Sequence, residues 1–597
     1  MLTIYTTAGT VLYRIPTLAA SAGIANYWSK LTDPGRNPFR GLYQLNGFDL
    51  AVMIPYFLVL VVLASYGLHR YYLVYSYMLH RKNVPGPPPP IAQWPRVTVQ
   101  LPIYNERYVI ERLVDAVARF DYPRELLDIQ VLDDSTDETQ QVARACVERY
   151  QALGVPIRYL HRDHREGYKA GALAEGLASA SGEFVAIFDA DFLPGPDFLR
   201  LTLPYFVDPK IAMVQSRWTY LNRDYSALTE VESILLDGHF VIEHGARSRS
   251  HHFFNFNGTA GVWRRTAIDD AGGWQHDTLT EDTDLSYRAQ LRGWQFLYLP
   301  DVECPSELPV EMNAFKAQQA RWAKGLMQTS IKILPRMIRA DVPLGVKVEA
   351  IFHLTASISY PLMIVLSTLL LPAMIVRFYQ GWFQMLLIDL PLFLASSCSI
   401  SGFYLAAERA LYPQRWTRTI LYLPLVMAVG IGISVRNAKG VLEALLNVPS
   451  EFVRTPKYRI EGHVRGQMRA QMRGQSRAQS AIRTDGLAAS ASSAGTSTGG
   501  TSTGASAGDN TWAQKTYRNR AGYLPYLEVG LGLYFAITIV YAIQNENYAT
   551  VPFLMLFVWG YLYTGIMSLG QVYFERLRFG VRLPDEARSA PTGVPGF

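Results

Sequence analysis

Phe184-Val185-Ala186-Ile187-Phe188-Asp189-Ala190-Asp191 is an apolar run of strand length that ends abruptly in two carboxylates flanking one alanine. A strand would send Asp189 and Asp191 to the same side, and two like charges that close need a metal or a basic group to neutralise them. Taken alone, the pair reads equally as a strand exit with solvated acids, so its meaning rests on its surroundings. Between Val97 and about Ile331 no segment is apolar enough to cross a bilayer, and short apolar strands alternate with amphipathic stretches. That alternation is the signature of a doubly wound α/β sheet. Residues 97–101, 129–132, 157–160 and 184–188 read as strands, with helices over 111–120, 136–150 and 171–180 between them. Ser135 and Glu138 have the spacing of a capping box for the second helix.

Sheets of this kind bind ligands beyond the carboxyl ends of their strands, and polar residues follow all four. Pro102, Tyr104 and Glu106 leave the first, Asp133 and Asp134 the second, Lys169 follows the third, and Asp189 and Asp191 leave the fourth. Singly, Asp133 and Asp134 also suit a helix cap, and Lys169 a solvated surface. Together they suit a nucleotide carrying phosphates. The acids match base and ribose hydroxyls, the lysine matches diphosphate charge, and Mg2+ or Mn2+ would bridge Asp189, Asp191 and the phosphates.

The hydrophobic share of 49% is concentrated outside this middle segment. Residues 50–68 form an uncharged run long enough to cross a hydrocarbon core of roughly 30 Å, too far from the start for a signal peptide. Further apolar blocks cover 350–376, 382–407, 420–435, 523–543 and 551–569, which implies an integral membrane protein. A net charge of +6 over 597 residues is too small for a nucleic-acid binder. Cys146, Cys304 and Cys398 offer neither a disulfide framework nor a zinc spacing.

The ordered set PIYNE (102–106), LDDS (132–135), YKAGAL (168–173) and FDADF (188–192) resembles the donor half of a family 2 inverting glycosyltransferase. FNGTAGVWR (256–264), TEDTDL (280–285) and QQARW (318–322) look like the acceptor finger loop, the TED motif and the QxxRW motif of its processive, membrane-embedded branch. With SELP at 306–309, the wording is similar to the cellulose synthase-like A and C proteins, which make mannan, glucomannan or β-1,4-glucan backbones. The resemblance implies a GT-A catalytic domain in the cytosol and a nucleotide-sugar donor, UDP-glucose or GDP-mannose. It implies a growing polysaccharide as acceptor, met by Phe256, Asn257 and Gly258. Trp322 would stack on the terminal sugar, Gln318 would hold it, and Arg321 would meet diphosphate. Gln318 and Arg321 share a face if their segment is helical. Asn257 stands where cellulose synthases usually carry cysteine, and Tyr168 replaces a common histidine. Inverting transfer needs one carboxylate to take the acceptor's proton. Asp282, beside Glu281, is the residue expected to do so.

The expected organisation is an extracytoplasmic segment (1–49), a first membrane helix (50–78), a proline-rich spacer (79–96) and the catalytic domain (97–335). Membrane and interfacial helices (336–436) follow, then an interfacial helix with a gating loop (437–462), a low-complexity linker (463–515), a membrane hairpin (516–572) and a cytosolic tail (573–597). Basic residues flank 420–435 on both sides, so that block is expected to be re-entrant or interfacial. This keeps Phe452, Thr455 and Lys457 in the cytosol, where they resemble an FxVTxK gating loop with Arg454 in place of valine. The resulting expectation is a multi-pass enzyme of the cytoplasmic membrane that extends a β-linked polysaccharide and passes it through its own spans, in contact with membrane lipid. A non-processive transferase making a glycolipid or lipid-linked sugar is the alternative. A transporter with a regulatory nucleotide domain fits less well, because the acids cluster outside the spans.

Overall fold

The computed structural model describes residues 47–88, 90–380, 390–449, 455–460 and 522–579. The segment before residue 47, the linker 463–515, Phe452, and residues 580–597 lie outside the described residues, as does 381–389 within the expected span at 382–407.

Residues 97–339 are built on a seven-stranded sheet. Its strands are β1 (Val97–Ile103), β2 (Leu127–Asp133), β3 (Ile157–His161), β4 (Phe184–Ile187), β5 (Ile211–Tyr220), β6 (Gly261–Arg264) and β7 (Gln295–Ser306), ordered β3-β2-β1-β4-β6-β5-β7. The four expected strands pair parallel, with β1 between β2 and β4, and β5 and β7 form a second parallel pair. The sheet is mixed rather than purely parallel because β6 returns from the 256–260 loop antiparallel to both β4 and β5.

On β1 and β2 the side chains alternate across the sheet. Val97, Val99, Leu101, Ile129 and Val131 pack under helices α1 (Ile110–Val117) and α2 (Thr139–Ala152). The opposite face carries Thr98, Gln100, Asp128 and Gln130, which are buried but paired: Thr98 donates to Asp128 at 3.0 Å and Gln100 to Gln130 at 3.0 Å. Helix α3 (Tyr168–Ala178) covers that face through Ala170, Leu173 and Leu177. Helix α2 starts at Thr139, later than its expected capping box, and has no side-chain cap. Ser135 Oγ instead accepts the Asn105 amide at 2.7 Å, tying the first two strand exits together. Asn105 sits at φ 55°, a left-handed conformation that asparagine tolerates.

The 97–339 segment also contains helices α4 (Ala227–Asp237), α5 (Glu281–Leu291) and α6 (Met312–Arg339), with shorter ones at Phe198–Thr202, Gly245–Arg249 and Arg265–Asp270. Around it stand helices with the length and composition to cross a membrane: Gly47–Leu79, Leu344–Val376, Trp416–Leu445, Leu524–Gln544 and Tyr548–Gln571. The third contains α7 (Thr419–Gly432) and α8 (Ser434–Leu445), which run on across Ile433, so the apolar element is longer than the 420–435 block read from sequence. Val426, Val429 and Ile433 nevertheless pack on Leu228, Val231 and Ile234 of α4 and on Met312 and Phe315 of α6. The same helix also lies against the span Tyr548–Gln571, where Gly432 meets Gly560 and Thr564, so α7 is packed between that span and α4 and α6.

Lys316 on α6 is joined to Glu528 on the span Leu524–Gln544 by a fully buried ion pair, Nζ to Oε1 2.5 Å, with Ser568 Oγ 3.1 Å away. Truncating one partner of such a pair strands a buried charge, whereas replacing both by apolar groups does not. Lys316→Met is expected to lower stability by about 3–5 kcal/mol and Lys316→Met with Glu528→Leu to recover most of it. Thermal unfolding in detergent measures both.

Candidate active site

The exits of β1, β2 and β4 converge on a cavity of ≈200 Å³. Pro102, Tyr104, Glu106, Asp134, Lys169, Asp189 and Asp191 line it from the sheet side, and Asn257, Gly258, Glu281, Asp282, Gln318, Arg321 and Trp322 line it from the other. Thr455 and Lys457 complete the wall. Two of the expected residues are not at the wall. Asp133 is buried in the β2 exit, accepting from the Ser135 amide at 2.8 Å and the Tyr159 hydroxyl at 2.7 Å. Phe256 is fully buried in the core edge-on to Trp263, so its part is to anchor the loop that carries Asn257 and Gly258.

Strand β4 ends at Ile187, and Asp189 and Asp191 reach the cavity on the turn that follows. The turn is pinned where the Asp189 amide donates to Thr259 Oγ1 at 2.8 Å and where Phe192 bridges Ser306. Each acid has a lysine: Lys169 Nζ lies 2.5 Å from Asp189 Oδ1 and Lys457 Nζ 2.9 Å from Asp191 Oδ2. Burial raises the Asp189 carboxyl above its ordinary value, an effect the Lys169 ammonium opposes and the Asp191 charge reinforces. Among the described residues no group of three or more His, Cys, Asp or Glu side chains is arranged to hold a metal ion. Two carboxylates on one turn do match the way Mg2+ and Mn2+ are held by one or two acids together with substrate phosphates.

Lys169 also donates to the Gly258 carbonyl at 2.9 Å. Gly258 has φ +77°, and a Cβ there would lie 3.1 Å from Asp282 Oδ2 and 3.4 Å from Lys169 Nζ. Only glycine lets the loop backbone approach the lysine and the acid so closely. Glu281 and Asp282 open α5, where the helix dipole favours carboxylates. Burial, with the Glu281 charge adding, pushes Asp282 up to about 7, against the Thr283 amide that donates to its Oδ1 at 2.7 Å. Asp284 has a structural part, fully buried against Arg288 at 2.8 Å and Lys332 at 3.0 Å.

The second strap of the wall comes from far along the chain. Besides binding Asp191, Lys457 donates to the Glu307 carbonyl. The Tyr458 amide donates to Glu307 Oε1 at 2.8 Å and its hydroxyl to Glu311 Oε1 at 2.6 Å. Glu307 is held in turn by Arg112 at 2.9 Å. Sequence reading quoted the SELP run without assigning Glu307 a part, and missed Arg165, whose guanidinium lies 3.3 Å from the Tyr104 ring centroid on the cavity wall. The signal for Arg165 was its place in the loop before Lys169. Asp134 is gripped by Arg162, Nε to Oδ1 2.7 Å.

A second cavity of ≈950 Å³ shares Asn257, Asp282, Gln318 and Trp322 with the first and continues between the helices. Its wall includes Tyr56 and Leu60 on Gly47–Leu79, Leu366 and Leu370 on Leu344–Val376, Met427 on α7 and Phe557 on Tyr548–Gln571. Asp282 therefore stands at the junction of a small polar cavity and a long one between apolar helices.

Residues 95–325 match the family model described as "Glycosyltransferase like family 2". Over 253 residues the chain is 47% identical to glucomannan 4-beta-mannosyltransferase 2 of Arabidopsis thaliana, covering 42% of this chain and 47% of that one. Over 268 residues it is 44% identical to glucomannan 4-beta-mannosyltransferase 1 of Oryza sativa subsp. japonica, covering 44% of this chain and 51% of that one. The chain thus spans about half the length of the curated relatives it matches. Among solved structures, the mannosyltransferase PcManGT from Pyrobaculum calidifontis in complex with GDP-Man and Mn2+ aligns with TM-score 0.42 at 22% identity, over 62% of this chain and 99% of that one. Residues 95–325 thus carry the family 2 glycosyltransferase match on a mixed seven-stranded sheet.

Proposed function

We propose that the chain is a membrane-embedded inverting hexosyltransferase that extends a β-linked, mannan-type polysaccharide from a nucleotide sugar. The single observation that carries this reading is the junction at Asp282, where a phosphate-type cavity meets a long cavity lined by candidate spans. The relatives' mannosyltransferase names favour GDP-mannose over UDP-glucose as donor. The nucleotide lies against Tyr104 and Asp134, and Lys169 and Arg321 face its diphosphate. Asp189 and Asp191 would hold Mg2+ or Mn2+, whose positive charge would ease departure of the diphosphate. Asp282 takes the proton from the acceptor hydroxyl as that oxygen attacks the anomeric carbon. Trp322 and Gln318 hold the terminal sugar at the head of the long cavity, and a flat indole lets the chain slide after each addition. Thr455 and Lys457 serve as the described part of the gating loop.

A base poised near 7 works only when deprotonated, so activity is lost as pH falls through about 7 and is flat above it. The expected profile of kcat/KM, which reports the free enzyme, falls about tenfold per pH unit on the acid limb. A profile level down to pH 5 would contradict a role for Asp282 as base.

The catalytic domain is placed on the cytosolic side of the plasma membrane, with α7 and α8 lying at the interface beneath it, a reading supported by the packing of Val426, Val429 and Ile433 on α4 and α6. Leu446, exposed at the end of α8, tests this. In a Cys398→Ser background, Leu446→Cys is expected to react with a membrane-impermeant maleimide only in inside-out vesicles. Labelling from the outer face would remove both the interfacial assignment and the gating loop.

A further inference from the structure

Where the two cavities meet, polar atoms from three separate segments are buried without a hydrogen-bond partner among the described residues: Trp218 Nε1, Glu232 Oε1 and Thr455 Oγ1. Trp218 lines both cavities, Glu232 the longer one and Thr455 the smaller one. Neither Trp218 nor Glu232 belongs to a motif recognised in the sequence. Trp218 stands near the end of β5, edge-on to Phe192 at 4.9 Å, directly after Asp191. Glu232 projects from α4, only 2% exposed, and the ammonium that acts on it is that of Lys457, which is itself 2.9 Å from Asp191. Trp218 therefore borders the smaller cavity that holds the Asp189–Asp191 turn, and Glu232 stands in the wall of the longer cavity, which shares Trp218, Asp282, Gln318 and Trp322 with it.

An indole N–H only donates, and a carboxyl oxygen accepts. Leaving either buried and unpaired is costly, and the cost is removed when a ligand supplies the complement. A ligand that fits must offer an acceptor and a donor a short distance apart, on a body that tolerates aromatic walls. A hexopyranose does so, since each hydroxyl accepts and donates while the ring faces are apolar.

We propose that Trp218 and Glu232 are a hexose-reading pair, Trp218 Nε1 donating to one sugar oxygen and Glu232 accepting from a sugar hydroxyl, and that they set which hexose is transferred. This rests on the glycosyl-transfer reading above. A site built to hydrogen-bond a hydroxyl discriminates strongly against a ligand that places it elsewhere, because its own polar groups are then left unpaired. Glu232→Met keeps most of the volume and removes the acceptor, and Trp218→Phe keeps an aromatic ring and removes the N–H.

The test uses the full chain in membrane vesicles and sugar pairs that differ at one hydroxyl on the same nucleotide: GDP-mannose against GDP-glucose at C2, and UDP-glucose against UDP-galactose at C4. For the pair the parent uses, each variant is expected to shift the kcat/KM ratio about tenfold or more. Inhibition by free GDP or UDP should stay within about twofold, which a merely structural role for these residues would not predict. Unchanged ratios in both variants would overturn the pair's role while leaving glycosyl transfer intact. A parent that transfers no sugar from either pair overturns the glycosyl-transfer reading itself and this pair with it.

Discussion

Asp282→Asn is expected to lower glycosyl transfer by about 10²–10⁴-fold, the usual worth of a positioned general base, while donor binding persists. The reason is local. Asp282 lines both cavities, whereas Glu281 lines only the smaller one, so Asp282 is the carboxylate within reach of an acceptor arriving from the helices. Its environment holds it near 7 through burial and the adjacent Glu281 charge, which makes it a stronger base than an exposed aspartate. Asparagine has the same shape and can still accept from the Thr283 amide, so the α5 start should hold. The proposed nucleotide contacts are Tyr104, Asp134, Lys169 and Arg321; the substitution leaves these side chains in place, and Lys169 and Arg321 lose one of several nearby negative charges. Steady-state rates with a fluorescent-nucleotide displacement assay separate the two effects. Full turnover, or loss of nucleotide binding with turnover, would move the base elsewhere.

Asp189→Asn and Asp191→Asn are each expected to cost about 10²-fold or more in kcat/KM, because the charge that holds a divalent cation against the diphosphate is lost. The two should differ in a way the lysines dictate. Without the Asp189 charge, Lys169 remains near Glu281 and Asp282, and Glu281 loses a like charge that raises its carboxyl. Without the Asp191 charge, Lys457 keeps its bond to the Glu307 carbonyl and its attraction to Glu232, and the strap at 455–460 is held further through Tyr458, Glu307 and Glu311. Manganese titration followed by electron paramagnetic resonance reads the cation directly. Weakened binding in both variants supports the assignment, and parent-like binding in either removes that residue from it.

The donor half was legible in the sequence because its parts are local. A strand places its own exit, so Pro102, Asp134, Lys169 and Asp189 could be assigned to one end of a parallel sheet before any long-range contact was known. The same locality misled at Asp133 and Ser135. A Ser-x-x-Glu spacing is compatible with a cap, but Asn105 on the neighbouring strand exit competes for Ser135, and Tyr159 on β3 takes Asp133. Those partners lie in other strands and leave no trace in local spacing. The antiparallel β6 was likewise hidden, since four residues after a loop carry no direction of their own. Lys457 was expected near the nucleotide by resemblance, but its pairing with Asp191 and the latch through Glu307 depend on how segments far apart in sequence pack. The Trp218 and Glu232 pair was illegible for the same reason: one lies on a strand and the other on a helix, each in an ordinary apolar-patterned context.

The central claim is that the two cavities serve one reaction, donor in one and growing polymer in the other. Incorporation of radiolabelled mannose from GDP-mannose by membrane vesicles carrying the full chain, followed by digestion with an endo-β-mannanase, tests it most directly. The account predicts a metal-dependent, alcohol-insoluble product that the mannanase releases as short oligosaccharides and that Asp282→Asn vesicles do not make. Label recovered only in an organic-extractable lipid, or no product from GDP-mannose or UDP-glucose, would contradict it.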